Sequence, residues 1–175
     1  MPFSLSRCCI PVFTQEMTAF LAILDKAEAY AESMKFDPVV YMTTRLRPDM
    51  LAFPRQVQNF CDQAKNGASR VAGLEPPRFE DNETTLDALK ARIRATLDVL
   101  AKIDPKAIDA GAERELIFPI GRTAKAKALG GDYITHYVMP NFYFHLVTGY
   151  DILRYAGAPI GKRDFLGAVH GVTPI

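Results

Sequence analysis

Apolar residues recur at alternating steps of three and four along much of this chain, the spacing that lines side chains up on one face of a helix. In residues 11–35 the stripe is Phe13, Met17, Phe20, Leu24, Ala27, Ala31 and Met34, with Lys26, Glu28 and Glu32 off it. Asp37-Pro38 closes this helix, because proline disfavours helical geometry in the residue before it. A short helical turn is expected around Val39 to Thr43. Pro48 then stands as the first residue of a second long helix, with Asp49 beside its positive end. Met50, Phe53, Val57, Phe60, Ala64, Ala68 and Val71 make its stripe. Pro54 inside that stripe predicts a local bend, and Gly73 a C-terminal stop.

The proline-rich, acidic stretch LEPPRFEDNETT connects to a third helix. Thr84 or Thr85 caps it, and Leu86, Leu89, Ile93, Leu97 and Leu100 face inward. Asp104-Pro105 marks its end. Between Glu113 and Leu129 the period changes: Leu116, Phe118 and Ile120 alternate, which predicts a small hairpin or extended excursion. Gly130-Gly131 introduces a fourth long helix at about Asp132 to Tyr155. The fold class read from this is all-α, a four-helix bundle with one irregular excursion before the last long helix. A single domain over residues 1–167 is expected, followed by a C-terminal tail, 168–175.

Composition narrows the function classes. Lys+Arg 21 against Asp+Glu 20 gives a net charge of +1, so no global field favours nucleic acid or an acidic membrane. Cys8, Cys9 and Cys61 have no CxxC spacing and fit reduced thiols. No convincing secretion signal and no apolar run of ~18 to 20 residues is read, so a cytoplasmic protein without membrane contact is expected.

Candidate chemistry concentrates in the fourth helix, YVMPNFYFHLVTGYDILRYAG. At about 100° per residue, Asn141, His145 and Thr148 share one face with Ile134, Val138 and Ile152, and Tyr137 stands at its edge. They form a polar island in an apolar stripe. His136 falls on the opposite side, and His170 lies in the tail. His145 is then either a metal ligand or general base steered by Asn141, or a packed core histidine, with Asn141 repairing backbone left unpaired by Pro140. From the second helix, Gln56 reaches a pocket edge, while Asp62 is a second possible metal ligand that points away from the stripe. Neither HExxH nor a Cys/His cluster is present. Arg45, Arg47 and Asp49 read as helix-start scaffolding or, alternatively, as an anion site. GKRDFLG reads as a terminal clasp, with Asp164 pairing a basic neighbour.

The blocks KAEAYAE, RLRPDMLAFPRQVQNFCDQAK, PRFEDNETTLDALKARI, MPNFYFHLVTGYDILRYAG and GKRDFLG, in that order, resemble the domain-of-unknown-function family DUF1993. The resemblance implies the DinB/YfiT-like four-helix bundle in up-down-down-up order, often as a homodimer. Many members of that wider superfamily bind a divalent metal through three histidines, one on the second helix and two on the fourth, and some act as thiol-dependent transferases or metal-dependent isomerases. Here His145 is the one histidine of such a set. Asn141 stands four residues before it, and Gln56, Asn59 or Asp62 are the nearest polar groups on the second helix. Amide oxygens are poor ligands for zinc or nickel.

Three functional readings follow. The first is a small-molecule site between the first, second and fourth helices, lined by His145, Asn141, Thr148, Gln56 and Tyr137, with no cofactor expected. The second is a non-catalytic homodimer presenting Tyr143 and Tyr150. The third is weak divalent-metal binding through His145 and Asp62.

Overall fold

A computed structural model describes residues 4–121 and 123–173. Helix α1 (Leu5–Ser33) is followed by α2 (Val40–Thr43), α3 (Phe53–Val71), α4 (Leu86–Ala101) and the short α5 (Pro105–Ala110). Strands β1 (Glu115–Ile120) and β2 (Ala124–Leu129) pair antiparallel, from Glu115 opposite Leu129 to Ile120 opposite Ala124. The last long helix is continuous but composite: α6 (Gly130–Asp132), a π-helical segment (Tyr133–Val138) and α7 (Met139–Tyr155). A final turn, α8 (Lys162–Leu166), closes against α1. The chain is thus mostly helical rather than all-α, since the excursion before the last long helix is a two-stranded sheet.

Helix α3 packs against α7 and α4, and α1 packs against α4 and, more lightly, α7 and α3. The α3 stripe delivers Phe53, Val57, Phe60, Ala64, Ala68 and Val71 to full burial. Each large side chain so removed from water contributes about 1.5–3 kcal/mol. Phe13 on α1 meets Phe142 on α7 at 4.8 Å, and Phe20 meets Phe60 edge-on at 5.0 Å, so aromatic rings tie the three helices at their centre. Helix α1 holds an 18-residue window of mean hydropathy 1.3, long and apolar enough by composition to span a membrane, contrary to the sequence reading. Its Phe13, Met17, Phe20 and Leu24 are consumed by the bundle core.

The helix ends show where proline and glycine matter. Helix α3 begins at Phe53, not at Pro48, and Pro54 sits in its first turn. There the missing proline N–H has no intrahelical acceptor to lose, so the cause expected for a bend is absent. Pro48 and Asp49 lie in the preceding turn, where Asp49 faces Arg47 at the surface. Thr85 caps α4 by accepting from the Ala88 N–H at 3.1 Å. Asp104, expected only as a stop, also caps α5. Asp109 of α5 in turn accepts from the backbone N–H and hydroxyl of Ser6, at 2.8 and 3.0 Å, and so caps α1 from across the fold.

Three helices end in the same way. After α3 and α7, Gly73 and Gly157 take positive φ, and the next amide bonds back to Ser69 and Leu153 carbonyls. After α1 the equivalent position is Lys35, φ 59, with Phe36 N–H on the Ala31 carbonyl. The chain has already turned there, so Met34 leaves the stripe and is 59% exposed.

Buried charge is the other constraint. The Lys90 ammonium meets Asp25 and Glu28 of α1 at 2.8 and 2.7 Å. Glu16 has no such partner: it is 5% exposed, and its Oε2 is buried without a hydrogen bond. Burial pushes its carboxyl up to about 7; burial also raises the Tyr143 phenol on α7, and the nearby Glu16 charge adds to that.

Replacing Lys35 with glycine removes the left-handed penalty and is expected to raise unfolding free energy by about 1 kcal/mol in urea titrations. Glu16 holds its proton in the folded state to a higher pH than in the unfolded chain, whose carboxyl titrates near 4.5. Its contribution to stability therefore declines as pH rises from that value to about 7, and the full cost remains above it. Glu16→Gln is expected to stabilise the fold by on the order of 2 kcal/mol at pH 8 relative to its effect at pH 4.5. An identical difference at the two pH values would show that the carboxyl ionises freely.

Candidate functional site

The polar island on α7 resolves into one side chain that reaches across and two that do not. His145 Nδ1 lies 2.8 Å from Gln56 Oε1 on α3. The Gln56 amide nitrogen donates to the Leu51 carbonyl at 3.0 Å, which orients the amide with its oxygen toward the imidazole. An amide oxygen only accepts, so Nδ1 carries the proton and donates. Burial, assisted by the Arg55 guanidinium, holds the His145 pKa below its ordinary value. The ring is therefore neutral near pH 7, with its lone pair on Nε2, and no described side chain bonds that nitrogen.

This bond depends on a close helix approach. A Cβ on Gly149 would stand 3.1 Å from the Phe20 ring and 3.7 Å from Gln56 Cβ. A Cβ on Gly67 would fall 2.6 Å from Val138 Cγ1. Two glycines thus let α7 and the π segment settle onto α3, with Gln56 buried at the contact.

Asn141 and Thr148 serve their own helix. Asn141 Nδ2 donates to the Tyr137 carbonyl at 2.6 Å, and the Thr148 hydroxyl to the Phe144 carbonyl at 2.6 Å. Pro140 has no N–H to offer the carbonyl four residues back, and its ring would crowd that carbonyl in a regular α-helix. The wider π turn just before it accommodates both effects. It also shifts the phase of everything on its N-terminal side, which is why Tyr137 leaves the island. Its ring packs at 4.9 Å from Phe118 of β1 and stacks on Tyr133. His136, in the same segment, is exposed.

Asp62 faces a different neighbour from Gln56. It accepts from Arg92 of α4 at 3.0 Å and lies 3.3 Å from Lys65, so the structure does not join it to His145. Among the described residues no three His, Cys, Asp or Glu side chains gather as a metal-holding group. Arg92, 1% exposed at its side chain, also meets Asp81 and Glu83. Gln58 donates to Glu83, and Arg55 pairs with Asp81. This ionic cluster was not read from the sequence, although Gln58, Asp62 and Lys65 recur at helical spacing and the 74–85 connection is acidic. It draws that connection back along α3, from Gly73 at the C-terminal end past Lys65 to Arg55 near the start.

Cys9 and Cys61 are buried, and burial pushes both thiols up to about 12, so neither supplies a thiolate at neutral pH. Three cavities have no His145 in their walls: one of about 540 Å³ runs between α1 and the tail near Gly167 and His170, one of about 450 Å³ lies beside Arg45–Pro48, and one of about 430 Å³ lies between α3 and Pro76–Phe79. Over the first, Gln15 donates to the Leu166 carbonyl and accepts from the His170 amide. Asp164 of the clasp pairs with Lys26, whose hydrogen bond lowers its carboxyl pKa. Tyr143 and Tyr150 are half-buried rather than exposed. The exposed large apolar side chains of α7 are Phe144, Val147 and Tyr155.

No curated protein matches this chain. A solved structure does: a DinB family member protein from Shewanella denitrificans is 35% identical, with a TM-score of 0.88 over 97% of this chain and 96% of that one. The family model described as a domain of unknown function, DUF1993, matches residues 5–166. That match spans both the α3–α7 contact and the terminal clasp, and the chain belongs to the DUF1993 family.

Proposed function

We propose that this DUF1993 chain binds a small molecule at the α3–α7 junction, with His145 Nε2 as the polar contact. The observation that carries this reading is the Gln56–His145 bond, which fixes the neutral tautomer and leaves Nε2 without a protein partner. The ring is half-buried and Nε2 is reachable from solvent, where a bound molecule can meet it. Phe144, whose ring meets the imidazole edge-on at 5.2 Å and is 59% exposed, offers an apolar surface beside it. A neutral imidazole with a free Nε2 is also the form a general base takes, and acid–base chemistry on the bound molecule is compatible with it.

The frame around the site is read as an up-down-down-up bundle. Phe13 with Phe142, and Tyr30 with Gly157, support α1 and α7 running in parallel. Gln56 with His145, and Gly67 with Val138, support an antiparallel α3–α7 pair. Residues 72–85 extend on the order of 40 Å, enough to return along α3, about 28 Å long, before α4 begins.

The exposed Phe144, Val147 and Tyr155 favour a second reading, a homodimer formed through α7. Sedimentation at micromolar concentration distinguishes it: a monomer unchanged by Val147→Asp removes this reading.

For the His145 site, nitrogen NMR on labelled protein is expected to show the Nδ1–H tautomer and an imidazole pKa below its ordinary value. Gln56→Ala is expected to relax the tautomer preference. His145→Ala is expected to keep the fold, with melting temperature nearly unchanged, while losing the small molecules that a fragment screen finds at this face. A large fall in melting temperature with the fragments still bound would return His145 to a packing role.

A further inference from the structure

The cleft between the C-terminal half of α3 and the Glu75–Phe79 segment does not include His145, and its α3 wall runs from about 9 Å (Asp62) to about 21 Å (Arg70) beyond Gln56 at 1.5 Å per residue. Its volume is about 430 Å³, and Asp62, Lys65, Arg70, Glu75, Arg78 and Phe79 contribute to its walls.

Charge pairing around this cleft is uneven. Asp62, Asp81 and Glu83 are engaged by Arg92, Arg55 and Lys65, three carboxylates against three cations. The Lys65 ammonium, buried at the back, is further held by the Pro77 carbonyl at 2.7 Å and Asn66 Oδ1 at 2.8 Å. Its attachment fixes the outer wall of the cleft to the helix. Phe79 lies under both Lys65 and Arg92, with centroid distances of 4.8 and 5.6 Å.

Arg70 and Arg78 are left over. Among the described residues neither has a carboxylate within ion-pair distance. Arg70 gives one guanidinium N–H to the Tyr133 hydroxyl at 3.0 Å, which steadies it while leaving further donors free. Arg78 is exposed at the opposite wall. One carboxylate, Glu75, remains in the lining without a cation of its own. The cleft therefore has a surplus of guanidinium donors in a neighbourhood where the other cations are matched.

We propose that this cleft binds a small oxyanion, a carboxylate or phosphate group, between Arg70 and Arg78. Guanidinium matches the planar, two-oxygen edge of such groups, and a pair facing one cleft supplies donors from two sides. Glu75 opposes the ligand's charge and limits affinity.

The experiment is an amide-NMR titration of the full chain at constant ionic strength, with inorganic phosphate in one arm and acetate in the other. Saturable shifts confined to residues around Arg70 and Arg78 are expected. In Arg78→Ala, whose side chain is exposed and unpaired, affinity is expected to fall about tenfold or more, the usual scale for one charge-assisted contact. In Glu75→Gln it is expected to rise. Saturation by phosphate alone identifies a phosphate ligand, and by acetate alone a carboxylate. Shifts that drift without saturating in both arms, or that survive unchanged in Arg78→Ala, overturn the proposal. Arg70→Lys adds a second test, and if it loses structure with the Tyr133 bond, Arg78→Ala decides alone. Because His145 lies outside the cleft, its tautomer is expected to be unchanged throughout.

Discussion

Helix α3 is buried on so much of its circumference that its polar side chains must find partners inside the protein. Gln56, Gln58, Lys65 and Ser69 are all nearly inaccessible, alongside six apolar residues of the main stripe. An unsatisfied buried donor or acceptor costs about 1–3 kcal/mol, so such groups dictate what surrounds them. Gln56 is met by the Leu51 carbonyl and His145, Gln58 by Arg55 and Glu83, and Lys65 by Asp62, Asn66 and the Pro77 carbonyl. These bonds recruit the turn before α3, the connection after it, and the neighbouring helix α7. The apolar stripe brings the helices together, and the polar contacts fix where the non-helical segments run.

How much of this was legible depends on whether the signal was local. The inward faces of α1, α3 and α4, the Thr85 cap, the Gly73 stop and the hairpin follow from period and end chemistry, and they stand where expected. The start of α3 did not follow, because two prolines six residues apart offer the same local signal. Deciding for Pro54 takes tertiary contacts, among them the Phe53 amide on the Thr44 carbonyl at 2.9 Å. Met34 misled for a related reason: a lysine in the left-handed region ends α1 where no glycine announces it. The Arg92 cluster was hidden because Asp81 and Glu83 come from a connection that reads as solvated until it is folded against α3.

The site shows the same division. Angular spacing placed Asn141, His145 and Thr148 on one face, but spacing says nothing about which group turns back on its own helix. Short amide and hydroxyl side chains one turn from a carbonyl bond it readily, and both do so here. The longer reach and ring geometry of histidine take it to α3 instead. Gln56 was expected at a pocket edge, and its role is narrower: it sets which imidazole nitrogen carries the proton. Tyr137 was misplaced because uniform 100° steps do not hold across a π turn.

That π turn also divides the last long helix between two clients. Its N-terminal part presents Tyr133 and Tyr137 to the hairpin, and its C-terminal part presents His145 and Gly149 to α3. A regular helix would lock the two faces at one relative angle, so that improving either would disturb the other. One extra residue in the turn acts as a rotary offset between them. The docking angle of the hairpin is thereby uncoupled from the register of the histidine on α3.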